Sequence, residues 1–391
     1  MKILISLARI IVGLLFIFSG LVKAIDPLGL SYKMQEFFEL WGMTQFNDHT
    51  LWLSIVMIGF EIIAGVALLL GWRMKLFSWL LLLLILFFTF LTGYAYLSGK
   101  FKNCGCFGDC IPITPITSFG KDIVLTVLIF FLFANVKKIQ PLFSKKVSVV
   151  LIVIASAISF GIQWYALNYL PPVDCLPYKK GNNIAEKMKA PVGAIPDSFA
   201  IRFVYEKGGK QFEFAPAELP ADLDSYNYVS RTDKLIRKGN AEPPIKGFAL
   251  SGTTDQDSTS IVLSQPYAVV LFCEDFSTPF SAWKDDFAKL YTSAKTKNIP
   301  VYAVTNRMDE AMKNFAETSF AVVPLFKCDY TAIRTAARTN PTIYLLKEGT
   351  ILDKQSYKRM GRILNAVEAI PAMQPVPAIV EDRLQLMDSA N

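Results

Sequence analysis

Five apolar stretches, at about residues 4–25, 51–71, 76–97, 119–136 and 147–170, each have the length of roughly 20 residues that carries a helix across a bilayer. No other feature restricts the fold as much. A spanning segment must satisfy its backbone polar groups internally, so each stretch is predicted to be a membrane helix. Hydrophobic residues make up 52% of the 391, and mean hydropathy is +0.36. The excess is confined to residues 1–170, whereas 171–391 read as an ordinary globular sequence. The first stretch is expected to be retained. Its apolar run is long, and Ser19-Gly20-Leu21-Val22-Lys23 offers no small-x-small cleavage site before the charge.

Basic residues orient these helices. Arg73 and Lys75 lie between the second and third stretches, and Lys137, Lys138, Lys145 and Lys146 between the fourth and fifth. By the positive-inside rule both loops face the cytoplasm. An odd number of spans then predicts a cytoplasmic N-terminus and a C-terminal half outside. In a bacterium this is a multi-pass protein of the inner (plasma) membrane with a periplasmic C-terminal domain. The net charge of +7 is not gathered into an arginine-rich, aromatic stripe, which argues against a nucleic-acid partner. The partner that the composition does imply is the lipid bilayer. A single histidine, His49, excludes multi-histidine zinc catalysis and bis-histidine haem ligation.

Between the third and fourth stretches runs Asn103-Cys104-Gly105-Cys106-Phe107-Gly108-Asp109-Cys110, which holds three of the six cysteines. It is expected outside, where disulfides persist. Glycines 105 and 108 permit the tight turns that bring sulfurs together. Cys104, Cys106 and Cys110 are candidate catalytic thiols, cycling between dithiol and disulfide with thiolate attack as the chemical step. Pairing stays open: Cys104 with Cys106 makes a strained ring, and Cys106 with Cys110 spans one turn. The same residues also suit a structural staple or a Cu(I) site. Glu61, inside the second stretch, is costly at that depth unless paired or protonated. It is a candidate proton carrier or quinone contact, or else a carboxyl satisfied by neighbouring helices. Gly59, Ala64 and Gly65 beside it suit close helix packing.

Arg9-Ile10-Ile11-Val12-Gly13-Leu14-Leu15-Phe16-Ile17-Phe18-Ser19-Gly20-Leu21-Val22-Lys23, then Asp26-Pro27, resembles the opening of DoxX-like membrane proteins. Glu61-Ile62-Ile63-Ala64-Gly65 and Leu68-Leu69-Leu70-Gly71 fit their second span, and Cys104-Gly105-Cys106-Phe107-Gly108 resembles the MauE branch. The resemblance covers about 1–138. It implies a four-helix membrane unit concerned with disulfide handling in periplasmic proteins, alongside a thioredoxin-like partner. The fifth stretch, 147–170, lies outside the pattern and is expected to be a tether.

Beyond the tether, 171–258 is expected to be an extracytoplasmic linker. It opens on the stiff Pro171-Pro172-Val173-Asp174-Cys175-Leu176-Pro177. Ile201–Tyr205, Gly208-Gly209 and Gln211–Phe214 read as a β-hairpin, and 216–258 as polar and irregular. From about 259 to 371 strands and helices alternate: strands at Tyr267–Phe272, Ile299–Thr305 and Ile343–Leu346, helices at 279–296 and 308–318. Residues 372–391 form a proline-containing tail. The order resembles the thioredoxin-like fold, with Asn340-Pro341-Thr342 at the cis-proline position. Where that fold carries Cys-x-x-Cys, this chain has Ser277-Thr278-Pro279-Phe280, so no dithiol relay can run there. Ser277, Pro279, Phe280 and Pro341 are instead a candidate groove for an extended client. Cys273 and Cys328 are either single-thiol partners of the membrane cluster or apolar fillers.

The expected fold class is therefore a multi-pass α-helical membrane domain, a four-helix unit plus a tether helix, followed by an α/β thioredoxin-like domain. The function expected is membrane thiol–disulfide redox or maturation chemistry on extracytoplasmic thiol-containing client proteins. No cofactor is specified beyond a quinone as a candidate electron acceptor. The alternatives are a non-enzymatic assembly factor whose second domain is a binding module, and a Cu(I)-binding membrane protein.

Overall fold

The computed structural model describes residues 1–99, 101, 105, 107–237, 239–252 and 256–374. Among these, five helical segments are long and apolar enough to cross a membrane, matching the hydropathy pattern. The membrane part contains α1 (Lys2–Ile25), α2 (Pro27–Leu40), α3 (Thr50–Leu70), α4 (Met74–Ser98), α5 (Pro115–Ala134) and α6 (Lys145–Tyr169). α2 is short and does not span. It starts where the Asp26 carboxylate accepts the Gly29 N–H at 3.1 Å, with Pro27 in the first turn.

Glycines set the helix spacing. A Cβ at Gly65 would meet the Gly13 carbonyl oxygen at 2.8 Å, so α1 and α3 touch backbone to backbone. α6 packs on α3 through a side chain. The Phe160 ring occupies the space a Cβ on Gly59 would need. The fifth helix thus packs on the bundle as well as leading into the C-terminal part. Val12, Phe16, Ala64, Leu68, Leu81, Ile85, Leu125 and Ile129 fill the bundle interior. Exposed Leu83, Phe87, Phe90, Val127, Phe130 and Val153 give it an outward apolar surface suited to lipid.

The C-terminal part is an α/β domain with two sheets. It contains α7 (Ile184–Lys187), β1 (Ser198–Lys207), β2 (Lys210–Phe214), β3 (Asn227–Arg237), α8 (Thr259–Leu263), β4 (Ala268–Cys273), α9 (Lys284–Thr296), β5 (Val301–Thr305), α10 (Met308–Phe315), β6 (Leu325–Lys327), α11 (Tyr330–Ala336), β7 (Thr342–Lys347), β8 (Thr350–Ser356) and α12 (Met360–Ala369). The larger sheet has the order β6-β5-β4-β7-β8. β4, β5 and β6 are parallel, whereas β7 runs antiparallel to β4, and β8 to β7. Its strands are apolar on both faces because both are covered. Val269, Leu271, Ile343 and Leu345 face Phe287 and Ile363 of α9 and α12. Val270, Phe272 and Tyr344 face the opposite layer, built from Tyr178, Ile184, Ile245, Phe248 and Ile333.

That second layer revises the domain boundary. Tyr178, Ile184, Ile245 and Phe248 lie within 171–258, yet they are part of the core. The Ile184 N–H donates to the Gly349 carbonyl at 2.9 Å and the Gly181 N–H to that of Ile351 at 2.8 Å. The smaller sheet, β2-β1-β3, contains the expected hairpin plus a third strand inside the stretch read as irregular. β3 escapes the apolar-alternation signal because it is an edge strand rich in polar residues.

Candidate redox site at the loop end of the membrane bundle

α1 and α3 bring Lys23 and Glu61 together inside the bundle. The ammonium donates to both carboxylate oxygens at 2.6 and 2.9 Å, with the side chains 3% and 1% exposed. The Ser19 hydroxyl donates to Glu61 at 3.0 Å, and Lys23 also sits 4.9 Å from the centre of the Phe88 ring. Glu61 is thereby paired as well as buried, which is how a carboxylate at this depth is tolerated. A second polar pair lies nearby on α5. Lys121 donates to Asp122 at 2.5 Å, and the Asp122 carboxylate also accepts the Thr92 hydroxyl at 3.0 Å. Both pairs line one narrow cavity, whose apolar walls include Phe16, Ile85, Phe88 and Leu125. Phe107, from the cysteine-bearing loop, contributes its ring to the same cavity and receives Lys121 at 5.3 Å. The sequence reading missed Lys121 and Asp122; their signal was an ionisable dipeptide at the start of an apolar run.

Cys104 and Cys106 lie outside the described residues. Cys110 is bonded to Cys175, with Cα atoms 4.9 Å apart. The Cys106–Cys110 pairing considered from the sequence is therefore not the one formed. The partner comes instead from the proline-rich segment after α6, 65 residues away in sequence. With Cys110 so engaged, a three-thiolate Cu(I) set is not available in this state.

The α/β domain docks on this same end of the bundle. Arg338, just after α11, donates to Asp26 at 2.9 Å and to Asp109 at 2.8 Å, and its side chain is 4% exposed. Burial pulls the Arg338 pKa down, but Asp26 and Asp109 outweigh it and leave a net rise. Arg334 donates to Glu274 at 2.7 Å and to Gln35 of α2 at 2.5 Å, and it covers the Tyr32 ring. Burial, reinforced by Glu274, pushes the Tyr32 phenol up, so it remains a neutral donor to Glu274. On the other side Lys354 donates to Asp174 at 2.6 Å; burial lowers its pKa, with Asp174 opposing.

The client-groove candidates follow β4. Ser277 is exposed; its N–H donates to Asp275 at 2.9 Å and its hydroxyl accepts from Asn340 at 3.4 Å. Pro279 is exposed, while Phe280 packs edge-on against Trp283 at 4.8 Å. The Asn340-Pro341 peptide is cis, and Pro341 is buried rather than open at the surface. Cys273 and Cys328 are buried free thiols. Burial raises both, Cys328 to about 11, and the Cys273 thiol donates to the Asp275 carbonyl at 3.0 Å. Thiols so placed are poor nucleophiles.

The family model described as methylamine utilisation protein MauE matches residues 1–135. The membrane unit is MauE-like. A second model, described as a domain of unknown function (DUF8463), matches residues 199–238, the smaller sheet. Protein TlpB of Flavobacterium psychrophilum is 32% identical over 133 residues, 33% of this chain and 36% of that protein. The chain thus matches only about a third of that curated relative's length. No solved structure matches.

Proposed function

We propose that this protein is a membrane-bound thiol–disulfide redox protein serving extracytoplasmic thiol-containing clients. The Cys110–Cys175 bond carries the reading, because it joins the cysteine loop to the segment leaving the membrane. Beside this loop, Phe107 shares a cavity with two buried ion pairs. Oxidising a dithiol to a disulfide releases two electrons and two protons. Lys23 and Glu61 are placed to hold or pass a proton within the bundle, and a bilayer quinone would supply the two-electron acceptor. In this reading Cys104 and Cys106 are the thiols that meet clients, and the C-terminal half lies in the periplasm.

The strand order of the larger sheet, with a loop after β4 facing the 340–341 turn, supports a thioredoxin-like domain whose dithiol has been replaced. Ser277 and Phe280 stand at the sulfur positions, and this favours a second reading: an assembly factor that binds without redox chemistry. One experiment separates the two. The states of Cys104, Cys106, Cys110 and Cys175 are mapped by differential alkylation in native membranes, with and without single serine replacements of Cys104 and Cys106. Client thiols that become fully reduced or fully oxidised in those variants support the redox function. Unchanged client thiols with normal protein abundance leave the assembly reading.

A further inference from the structure

Cys110 and Cys175 sit in matching tetrapeptides, Asp109-Cys110-Ile111-Pro112 and Asp174-Cys175-Leu176-Pro177. The disulfide therefore holds two aspartates close to one another, each on a proline-stiffened segment. Each aspartate holds a different cation of the α/β domain. Asp109 takes Arg338 at 2.8 Å and Asp174 takes Lys354 at 2.6 Å, with the cations' side chains 4% and 5% exposed. Cations buried this deeply depend on their partners, because an unpaired buried charge is strongly unfavourable. The bridge and the two ion pairs thus form one connected joint between the loop, the exit segment and the domain. Its sulfurs belong to half-buried residues, within reach of solvent thiols.

We propose that Cys110–Cys175 is a redox latch that a protein dithiol opens, releasing the α/β domain from the bundle on the side of α2. One thiolate of the incoming dithiol attacks a sulfur of the bridge, the S–S bond breaks, and a mixed disulfide forms. The second thiol of the dithiol resolves it. The incoming dithiol is oxidised to a disulfide, and Cys110 and Cys175 are left as thiols carrying the two protons. Asp109 and Asp174 are then no longer tied together, and the position of one cation ceases to fix the other. The domain retains its contacts with the end of α6, where Ser356 donates to the Asn168 carbonyl at 2.7 Å and Arg359 to Tyr165 at 3.0 Å. That end acts as the hinge. Opening uncovers the face bearing Glu274, Arg334 and Arg338, which the closed form seats on Tyr32, Gln35 and Asp26. The latch requires no role for Cys104 or Cys106, so it stands or falls apart from the function proposed above.

The test uses the full-length protein in nanodiscs with Cys104→Ser and Cys106→Ser, which leaves one bridge for dithiothreitol to reduce. Amide hydrogen exchange is followed at residues 27–37 and 330–341, and alkylation counts confirm reduction. Reduction should speed exchange there by about tenfold while strand β4 stays protected. Should the cysteine variant fold poorly, the wild-type chain under dithiothreitol gives the same readout. Unchanged exchange after verified reduction overturns the latch. So does a bridge that resists dithiothreitol until the whole domain unfolds.

Discussion

Lys23 and Glu61 are two charges that neither partner could carry alone at that depth. Removing one side leaves a buried uncompensated ion, which typically costs about 3–5 kcal/mol, whereas replacing both with apolar groups is often close to neutral. Lys23→Met alone should therefore lower the thermal stability of the solubilised protein sharply. The double variant Lys23→Met with Glu61→Leu should recover most of it. If the pair also serves proton movement, client thiol states will stay defective in the stable double variant. A double variant with normal client thiols would reduce the pair to structure. Cys328 makes a quieter case. Burial raises its pKa from 9.0 to about 11, so the folded state holds the thiol proton that the unfolded chain gives up first. The stability this contributes is fully present below pH 9 and is lost as pH rises towards 11. Thermal melts across that window should slope downward, and Cys328→Ala should flatten the slope. Alkylation of Cys273 or Cys328 in the native protein at neutral pH would contradict their burial.

At the scale of elements, the spans were legible because hydropathy over some 20 residues is a strong and local signal. β4, β5 and β7 were legible too, since buried strands read as short apolar runs. α2 was not: it is a short helix whose partners, Thr50 and Ser54, lie on another helix. β3 was hidden by its polar edge, and Arg338 by having both its carboxylate partners more than 200 residues away in sequence. The site divides the same way. Glu61 stood out as a charge in an apolar run, but its pairing with Lys23 and the joining of Cys110 to Cys175 are tertiary facts that spacing cannot supply. The glycine contact between α1 and α3 gives a direct check. Gly65→Val would drive a side chain into the Gly13 carbonyl and Ile17, where backbone cannot yield. It should abolish accumulation of folded protein, whereas Gly161→Ala, which meets open space, should be tolerated.

For the whole molecule, the consequence of the revised boundary is that the α/β domain begins soon after the membrane rather than at about 259. Leu176, Tyr178 and Ile184 are 5%, 1% and 0% exposed, and the last two pack under the central sheet. Burying side chains of this kind stabilises by roughly 1.5–3 kcal/mol each, an upper figure because unfolded chains are already partly compact. Against a total of about 5–15 kcal/mol for a typical domain, losing all three leaves little. The segment also closes the backbone, since Gly181 and Ile184 donate to carbonyls of the β7–β8 hairpin region. A soluble fragment of residues 174–374, with Cys175→Ser to remove the unpartnered thiol, should therefore unfold cooperatively. One starting at 190 should melt far lower or aggregate. Neither should reduce insulin-type disulfides, because the two remaining thiols, Cys273 and Cys328, are buried. Equal melting of the two fragments would show that residues 176–188 are a dispensable strap, and dithiol activity in the longer one would move the chemistry out of the membrane loop.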